Sequence, residues 1–239
     1  MKTLTIIPSR MSATRLPGKP LLKIKGLSII SHVFRRAQEA NIGEVVVATE
    51  DQEIVDDVVK NGGRAILTSK AHKTGTDRIY EAFQKLEIKD VDLIMNLQGD
   101  EPAIDIEDIV ILNKKMIKNR SDMGTLACKI KNFKDLENKN IVKVITKKNI
   151  DKDQFCEAKT FLRISKNVEN IYHHIGIYCY STKTLDRFVN LKQSKNEIDN
   201  KLEQLRALDN SLKINVALAK SSPIGVDTEE DYLAIKKIM

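Results

Sequence analysis

The chain has no tryptophan, and its five tyrosines and six phenylalanines make up 5% of its 239 residues. That is too sparse for a platform that stacks nucleic-acid bases along a basic stripe. No apolar run approaches the length of about 18 residues that a membrane-spanning helix needs, so membrane insertion is not expected. Lys2 is followed by a short β-type run and not by a longer apolar segment, so no secretory signal is expected. The three cysteines, Cys128, Cys156 and Cys179, are odd in number and far apart. They fit neither a zinc spacing nor a disulfide framework, and read as reduced thiols of a cytoplasmic protein. GxGxxG is absent, and so is the Walker A pattern, because Gly18-Lys19 is followed by Pro20.

What the sequence does have is a local excess of positive charge. The whole chain carries 40 Lys and Arg against 33 Asp and Glu, a formal +7. Residues 1–40 hold eight of those cations and only one anion, Glu39, while the remainder balances at 32 to 32. An excess confined to one end suits a pocket for a small polyanion, whereas a nucleic-acid binder spreads it over a face. A solvated basic surface at the N-terminus is the alternative.

Within that region, Leu4, Ile6 and Ile7 read as a buried strand that should stop at Pro8, which cannot donate to a ladder. The loop that follows holds Ser9, Arg10, Arg15, Gly18 and Lys19. A loop at the C-terminal edge of an open α/β sheet is where such folds bind ligands. Arg and Lys offer charge-assisted hydrogen bonds to phosphates, so three cations among small residues suit a triphosphate.

Strands and helices then alternate. Ser28 predicts a cap for a helix with Ile29, Ile30, Val33, Phe34 and Ala37 on one face, ending near Gly43. Val45–Ala48, a helix over 52–60 and a strand over 65–67 follow, a rhythm that indicates a mostly parallel sheet covered on both faces. Thr74-Gly75-Thr76-Asp77-Arg78 opens another helix, with Thr76 or Asp77 as the expected cap. The segment reads equally as a ribose or base contact or as a plain helix start.

The next strand, Val91–Leu97, runs into Gln98-Gly99-Asp100-Glu101-Pro102. Mg²⁺ takes one or two protein carboxylates and completes its shell with phosphate oxygens and water, a role that suits Asp100. On pattern alone the favoured alternative for Asp100 is a turn residue capping a helix over 105–118. Strands are expected over 123–130 and 142–146, whereas 131–140 and 147–170 carry no clear pattern. Residues 172–180 alternate like a strand, with His174 and Tyr178 on one face as a substrate-contacting pair or as structural side chains. A helix over 197–208 carries Glu203 and Gln204, and Thr228 caps the last helix just after Asp227, a cap neighbour or a second metal ligand.

Taken together, IIPSRMSATRLPGKPL, VVVATE, TGTDR, NLQGDEP, HIGIY, LEQLR and VDTEED, in that order between residues 6 and 231, resemble the CMP-Kdo synthetase (3-deoxy-manno-octulosonate cytidylyltransferase) family. The resemblance implies one cytidylyltransferase domain over 1–239 with a nucleotide-diphospho-sugar transferase-like, Rossmann-like α/β fold. It also implies a three-layer sandwich with a mixed, mostly parallel sheet, and an accessory lobe over roughly 131–210 that makes a homodimer. The implied partners are CTP and an acidic eight-carbon sugar, Kdo, joined with release of pyrophosphate for lipopolysaccharide synthesis. Arg10, Arg15 and Lys19 would hold the triphosphate. Pro8, Ser9, Ala48, Thr74, Gly75, Arg78 and Gln98 would lie around the nucleotide. Asp100 and Asp227 would hold Mg²⁺, and Gln98, His174, Tyr178, Glu203 and Gln204 would contact the sugar.

One segment departs from the family. Glu157 stands where an Arg near the sugar is expected. Either Lys159 or Arg163 substitutes, or the sugar is a different acidic one such as the 8-amino analogue, or activity is reduced. A cytidylyltransferase for sialic acid and a non-catalytic nucleotide-binding relative are the competing readings.

Overall fold

Strand β1 (Thr3–Ser9) is buried along almost its whole length and forms the middle of a parallel array in the computed structural model. The structure describes residues 1–12, 15–166, 169–220 and 222–239, so Ala13 and Thr14 of the opening loop lie outside the described residues. The chain divides into two units, Met1–Val110 with Pro223–Met239, and Ile111–Ser222.

In the first unit β1 is followed by the two-residue strands β2 (Lys23–Ile24) and β3 (Leu27–Ser28), which pair as a small hairpin. Helix α1 (Ile29–Glu39) starts where expected, with the Ser28 hydroxyl accepting from the Ser31 N–H. Then come β4 (Gly43–Thr49), α2 (Gln52–Lys60), β5 (Ala65–Leu67), α3 (Gly75–Leu86) and β6 (Leu93–Asn96). β1 pairs in parallel with β4 on one side and β6 on the other, and β4 pairs in parallel with β5. Such strands need apolar residues on both faces, as Val46, Val47, Ile94 and Met95 provide.

Two local expectations are corrected. β1 does not stop at Pro8, since Pro8 and Ser9 pair with Ala48 and Thr49. The pairing with β6 ends two residues earlier, at Ile6 and Asn96, and a Cβ on Gly99 would lie 2.8 Å from the Pro8 carbonyl oxygen. Pro8 thus faces chain beyond the end of the β1–β6 ladder, where its missing N–H breaks no rung. The cap of α3 is Thr74 and not Thr76 or Asp77; Thr74 is extended, and its hydroxyl accepts from the Asp77 N–H at 3.2 Å.

Helix α4 (Ile106–Asn119) carries the chain into the second unit. There follow β7 (Met123–Cys128), β8 (Lys143–Thr146), β9 (Cys156–Leu162), β10 (Ile171–Ser181), α5 (Thr182–Val189), α6 (Lys195–Asn200), α7 (Gln204–Asp209) and β11 (Asn215–Leu218). β10 pairs antiparallel with β7 and β8, β8 with β9, and β9 with β11, while β11 returns in parallel to β7. The ladder closes on itself, so the parallel character belongs to the first unit and the second is mixed. The helix expected over 197–208 is two, because Lys201 adopts the left-handed conformation (φ 53°) and ends α6.

After the second unit the chain returns. Val226 is fully buried in a cluster with Ile24, Ile29 and Ile235, and its N–H donates to the Asp100 carbonyl at 2.9 Å. Helix α8 (Glu229–Ile238) then starts at Thr228 in a reciprocal cap with Asp231, as expected. Among the described residues no helix is long and apolar enough to cross a membrane.

Candidate active site

The opening loop leaves the end of β1 and is shaped by backbone contacts. The Met11 N–H donates to Asp51 at 2.7 Å, and the Gly18 N–H returns to the Met11 carbonyl at 3.1 Å. Gly18 has φ 72°, a left-handed conformation that glycine adopts at little cost. The loop lines a cleft with Pro8, Ser9, Arg10, Ser12, Arg15, Lys19 and Pro20 on one side, and Gln98, Gly99, Asp100 and Asp227 on the other. The close approach of Gly99 to Pro8 brings Asp100 to the mouth of the sheet, since any side chain at 99 would strike the Pro8 carbonyl.

Two aspartates 127 positions apart in sequence meet here. The Val226–Asp100 backbone bond and the burial of Val226 fix the neighbouring Asp227 beside Asp100. Lys19 Nζ lies between them, donating to Asp100 Oδ2 at 2.6 Å, to Asp227 Oδ1 at 3.0 Å and to the Val226 carbonyl at 2.9 Å. Arg15 Nη2 reaches the other oxygen of Asp227 at 2.8 Å. Burial pulls the Lys19 ammonium down, but Asp100 and then Asp227 outweigh it, and the net shift is upward. Lys19 is therefore a fixed cation seated between two carboxylates.

That ammonium is a stand-in that tests whether a metal ion suits the place. Hard carboxylate oxygens from two residues, opening on a basic loop able to take phosphates, are the donor set Mg²⁺ uses. Beside them, burial and then the charge of Asp100 raise the Glu101 carboxyl to about 8. Its Oε2 is enclosed with no hydrogen-bond partner among the described residues. Glu101 and Ser12 were not singled out from the sequence. The signal for Glu101 was there, a second carboxylate directly after Asp100.

The remaining nucleotide candidates of the first unit lie near this cleft without lining it. Ala48 is the register partner of Pro8, and a Cβ on Gly75 would come 3.4 Å from the Pro8 ring. Thr74 is occupied as a helix cap. Arg78 is buried, donating to the Thr68 hydroxyl at 2.6 Å and forming an ion pair with Glu50.

The sugar candidates other than Gln98 belong to the second unit. His174 is buried against Phe161 and Tyr178, at ring-centroid distances of 5.0 and 5.5 Å. Burial, with His173 adjacent, pulls its pKa down to about 3. Burial, then Tyr180 and Glu203, push the Tyr178 phenol well up, so both rings are neutral. Glu203 and Gln204 are held by the turn into α7. There, buried Arg206 makes a two-pronged pair with Glu197 at 2.8 and 2.6 Å, and its Nη2 lies 3.7 Å from Glu203.

Comparison with known proteins decides the family. A family model described as "Cytidylyltransferase" matches residues 4–214. The chain belongs to the cytidylyltransferase family. A protein of Rhodopseudomonas palustris (strain BisB18) named 3-deoxy-manno-octulosonate cytidylyltransferase is 43% identical, over 100% of this chain and 98% of its own length. One of the same name from Thermodesulfovibrio yellowstonii is 41% identical, again over 100% and 98%. Among solved structures, a CMP:2-keto-3-deoxy-manno-octonic acid synthetase complexed with CTP superposes with TM-score 0.90 at 34% identity, covering 100% of this chain and 98% of that one. A putative glucose-1-phosphate thymidylyltransferase from Bacillus anthracis, 14% identical with TM-score 0.69 over 99% of this chain and 94% of its own, shares the fold. The expected mixed α/β nucleotidyltransferase fold is thus borne out.

Glu157, where the resemblance implies an Arg, has a local partner. Its carboxylate pairs with Lys147 Nζ at 2.6 Å. The Arg163 guanidinium donates to the carbonyls of Asn200, Lys139 and Lys201 at 2.9, 3.0 and 3.0 Å. Lys159 is exposed on the same strand.

Proposed function

We propose that this chain transfers CMP from CTP to the anomeric hydroxyl of Kdo, releasing pyrophosphate, as one Mg²⁺-dependent cytidylyltransferase domain over 1–239. The observation that carries the reading is the seat between Asp100 and Asp227, filled by the Lys19 ammonium and open to the basic loop. In this reading Arg10, Arg15 and Lys19 grip the triphosphate. Pro8, Ser9, Ala48, Thr74, Gly75, Arg78 and Gln98 surround the nucleoside, with Thr74 and Arg78 acting through the helix start and the Glu50 pair they maintain.

The sugar hydroxyl gives up its proton to solvent and attacks the α-phosphorus; the new sugar O–P bond forms as the P–O bond between the α- and β-phosphates breaks, and pyrophosphate leaves in line with the attacking oxygen. Charge grows on the leaving oxygens, where fixed guanidinium and ammonium groups are worth most. Asp100 and Asp227 would hold Mg²⁺, which when bound would neutralise charge on the phosphates and make the sugar hydroxyl easier to deprotonate. When the phosphates arrive, Lys19 exchanges its carboxylate partners for phosphate oxygens and keeps its charge throughout. Gln98, His174, Tyr178, Glu203 and Gln204 contact the sugar. In this reading the chain acts as a cytoplasmic homodimer serving lipopolysaccharide synthesis.

Glu157, where the family resemblance implies an Arg, motivates a second reading, in which the acidic sugar carries an amino group as in the 8-amino analogue. A panel of the four ribonucleoside triphosphates against Kdo, that analogue and sialic acid, with Mg²⁺ present, tests both. Pyrophosphate release with CTP and Kdo is the expected result. Release only with the analogue selects the second reading, and release with none rejects both.

A further inference from the structure

Strand β10 carries an irregularity between Ile175 and Tyr178, where its register against β7 shifts. The carbonyls of Ile175 and Ile177 flank it, and both lie close to one hydroxyl, Thr125 Oγ1, at 3.1 and 2.6 Å. The same oxygen is 3.0 Å from His174 Nε2. A threonine hydroxyl has one proton, and carbonyl oxygens only accept. An oxygen–oxygen separation of 2.6 Å is that of a hydrogen bond, so the proton points at Ile177. Thr125 Oγ1 can then only accept from the ring, which fixes the proton of the neutral imidazole on Nε2.

The other nitrogen is consequently a bare acceptor. Nδ1 has no hydrogen-bond partner among the described residues, so its lone pair is left for a donor from a ligand. Phe161 and Tyr178 hold the ring on its sides.

We propose that Thr125 is a positioning residue that locks His174 as the Nε2–H tautomer, so that Nδ1 reads a hydroxyl of the sugar and not its carboxylate. This rests on the function proposed above for the sugar site. A carboxylate brings only lone pairs and would be repelled by another lone pair, whereas a hydroxyl donates to it. His174 thus selects on the polyhydroxy part of the substrate, and the acid group must be held elsewhere.

The test uses the full chain labelled with ¹⁵N-histidine, with His174→Asn identifying its ring signals among the four histidines. The free protein should show pyridine-type Nδ1 and pyrrole-type Nε2 for His174, and saturating Kdo should shift Nδ1 toward the hydrogen-bonded position. Thr125→Val should release the tautomer and raise the KM for Kdo about tenfold, the worth of one good hydrogen bond, with kcat and the KM for CTP held. Thr125→Ser should restore both. A pyrrole-type Nδ1 in the free protein overturns the proposal. So does an Nδ1 signal that stays still while Kdo is bound and turned over, which the wild-type protein reports even if Thr125→Val fails to fold. Absence of any turnover with CTP and Kdo would instead reject the underlying function, with the tautomer in the free protein still judging the Thr125 lock.

Discussion

Replacing Lys19 with Met removes the ammonium from between two carboxylates and leaves a side chain of similar length. Asp100 then keeps neither ion-pair partner nor compensation, and Asp227 keeps only Arg15. The Lys19 side chain is 13% exposed, whereas Asp100 and Asp227 are 29% and 46% exposed. Breaking a fully buried pair costs about 3–5 kcal/mol and breaking an exposed one about 0–1. Water at the aspartates places this case between, at about 1–2 kcal/mol without divalent metal. For a chain of this size each kcal/mol moves Tm by about 2–4 °C, so the variant should melt about 2–8 °C below wild type in EDTA. Mg²⁺ should return most of that. The vacated seat no longer holds a competing cation, and a ligand at 100 times its Kd adds about 2.7 kcal/mol. Thermal denaturation by circular dichroism, with MgCl₂ titrated against NaCl of equal ionic strength, reads the difference. A Lys19→Met protein as stable as wild type, or one whose Mg²⁺-induced shift is no larger, would refute the account of the paired aspartates.

Glu101 gives a pH signature. With its folded pKa raised to about 8, the native state keeps a proton that the unfolded chain has already lost, so stability falls as pH rises from the ordinary carboxylate range through 8. Melting curves from pH 5.5 to 8.5 in EDTA should show wild type declining relative to Glu101→Gln, and parallel curves would contradict the buried, unpartnered carboxyl. In the second unit, Arg206 and Glu197 are 4% and 5% exposed, so Glu197→Gln should cost on the order of 3 kcal/mol at neutral pH. Burial raises the pKa of Glu197, but Arg206 foremost outweighs it and holds it low. Its contribution is therefore present above the usual carboxylate pKa and lost in acid, and urea unfolding at pH 7 and pH 3 should show the variant's deficit shrinking at the lower pH.

Where local chemistry decided the structure, the sequence was readable. Ser28 and Thr228 cap the helices they were expected to cap, and the apolar runs of β1, β4 and β6 became the parallel strands. Where tertiary contacts decided, it was not. Pro8 stays in β1 because the neighbouring ladder has already ended, a fact about β6 and not about Pro8. β9 lay in a segment without clear pattern, since its buried Cys156, Ala158 and Phe161 alternate irregularly with Glu157, Lys159 and Thr160. The cleft shows the same division. The basic loop and Asp100 could be picked out by type and position, but the meeting of Asp100 with Asp227 depends on one backbone bond and one buried valine. Thr125 offered no signal at all, because its role exists only against the irregularity in β10.

The most direct measurement is pyrophosphate release from CTP and Mg²⁺, with and without Kdo, by the wild-type chain and by Asp100→Asn. Release that requires Kdo and is abolished in the variant at saturating Mg²⁺ is the expected result. A near-normal rate in Asp100→Asn, or release from CTP that Kdo does not change, would contradict the transfer of CMP at this pair of aspartates.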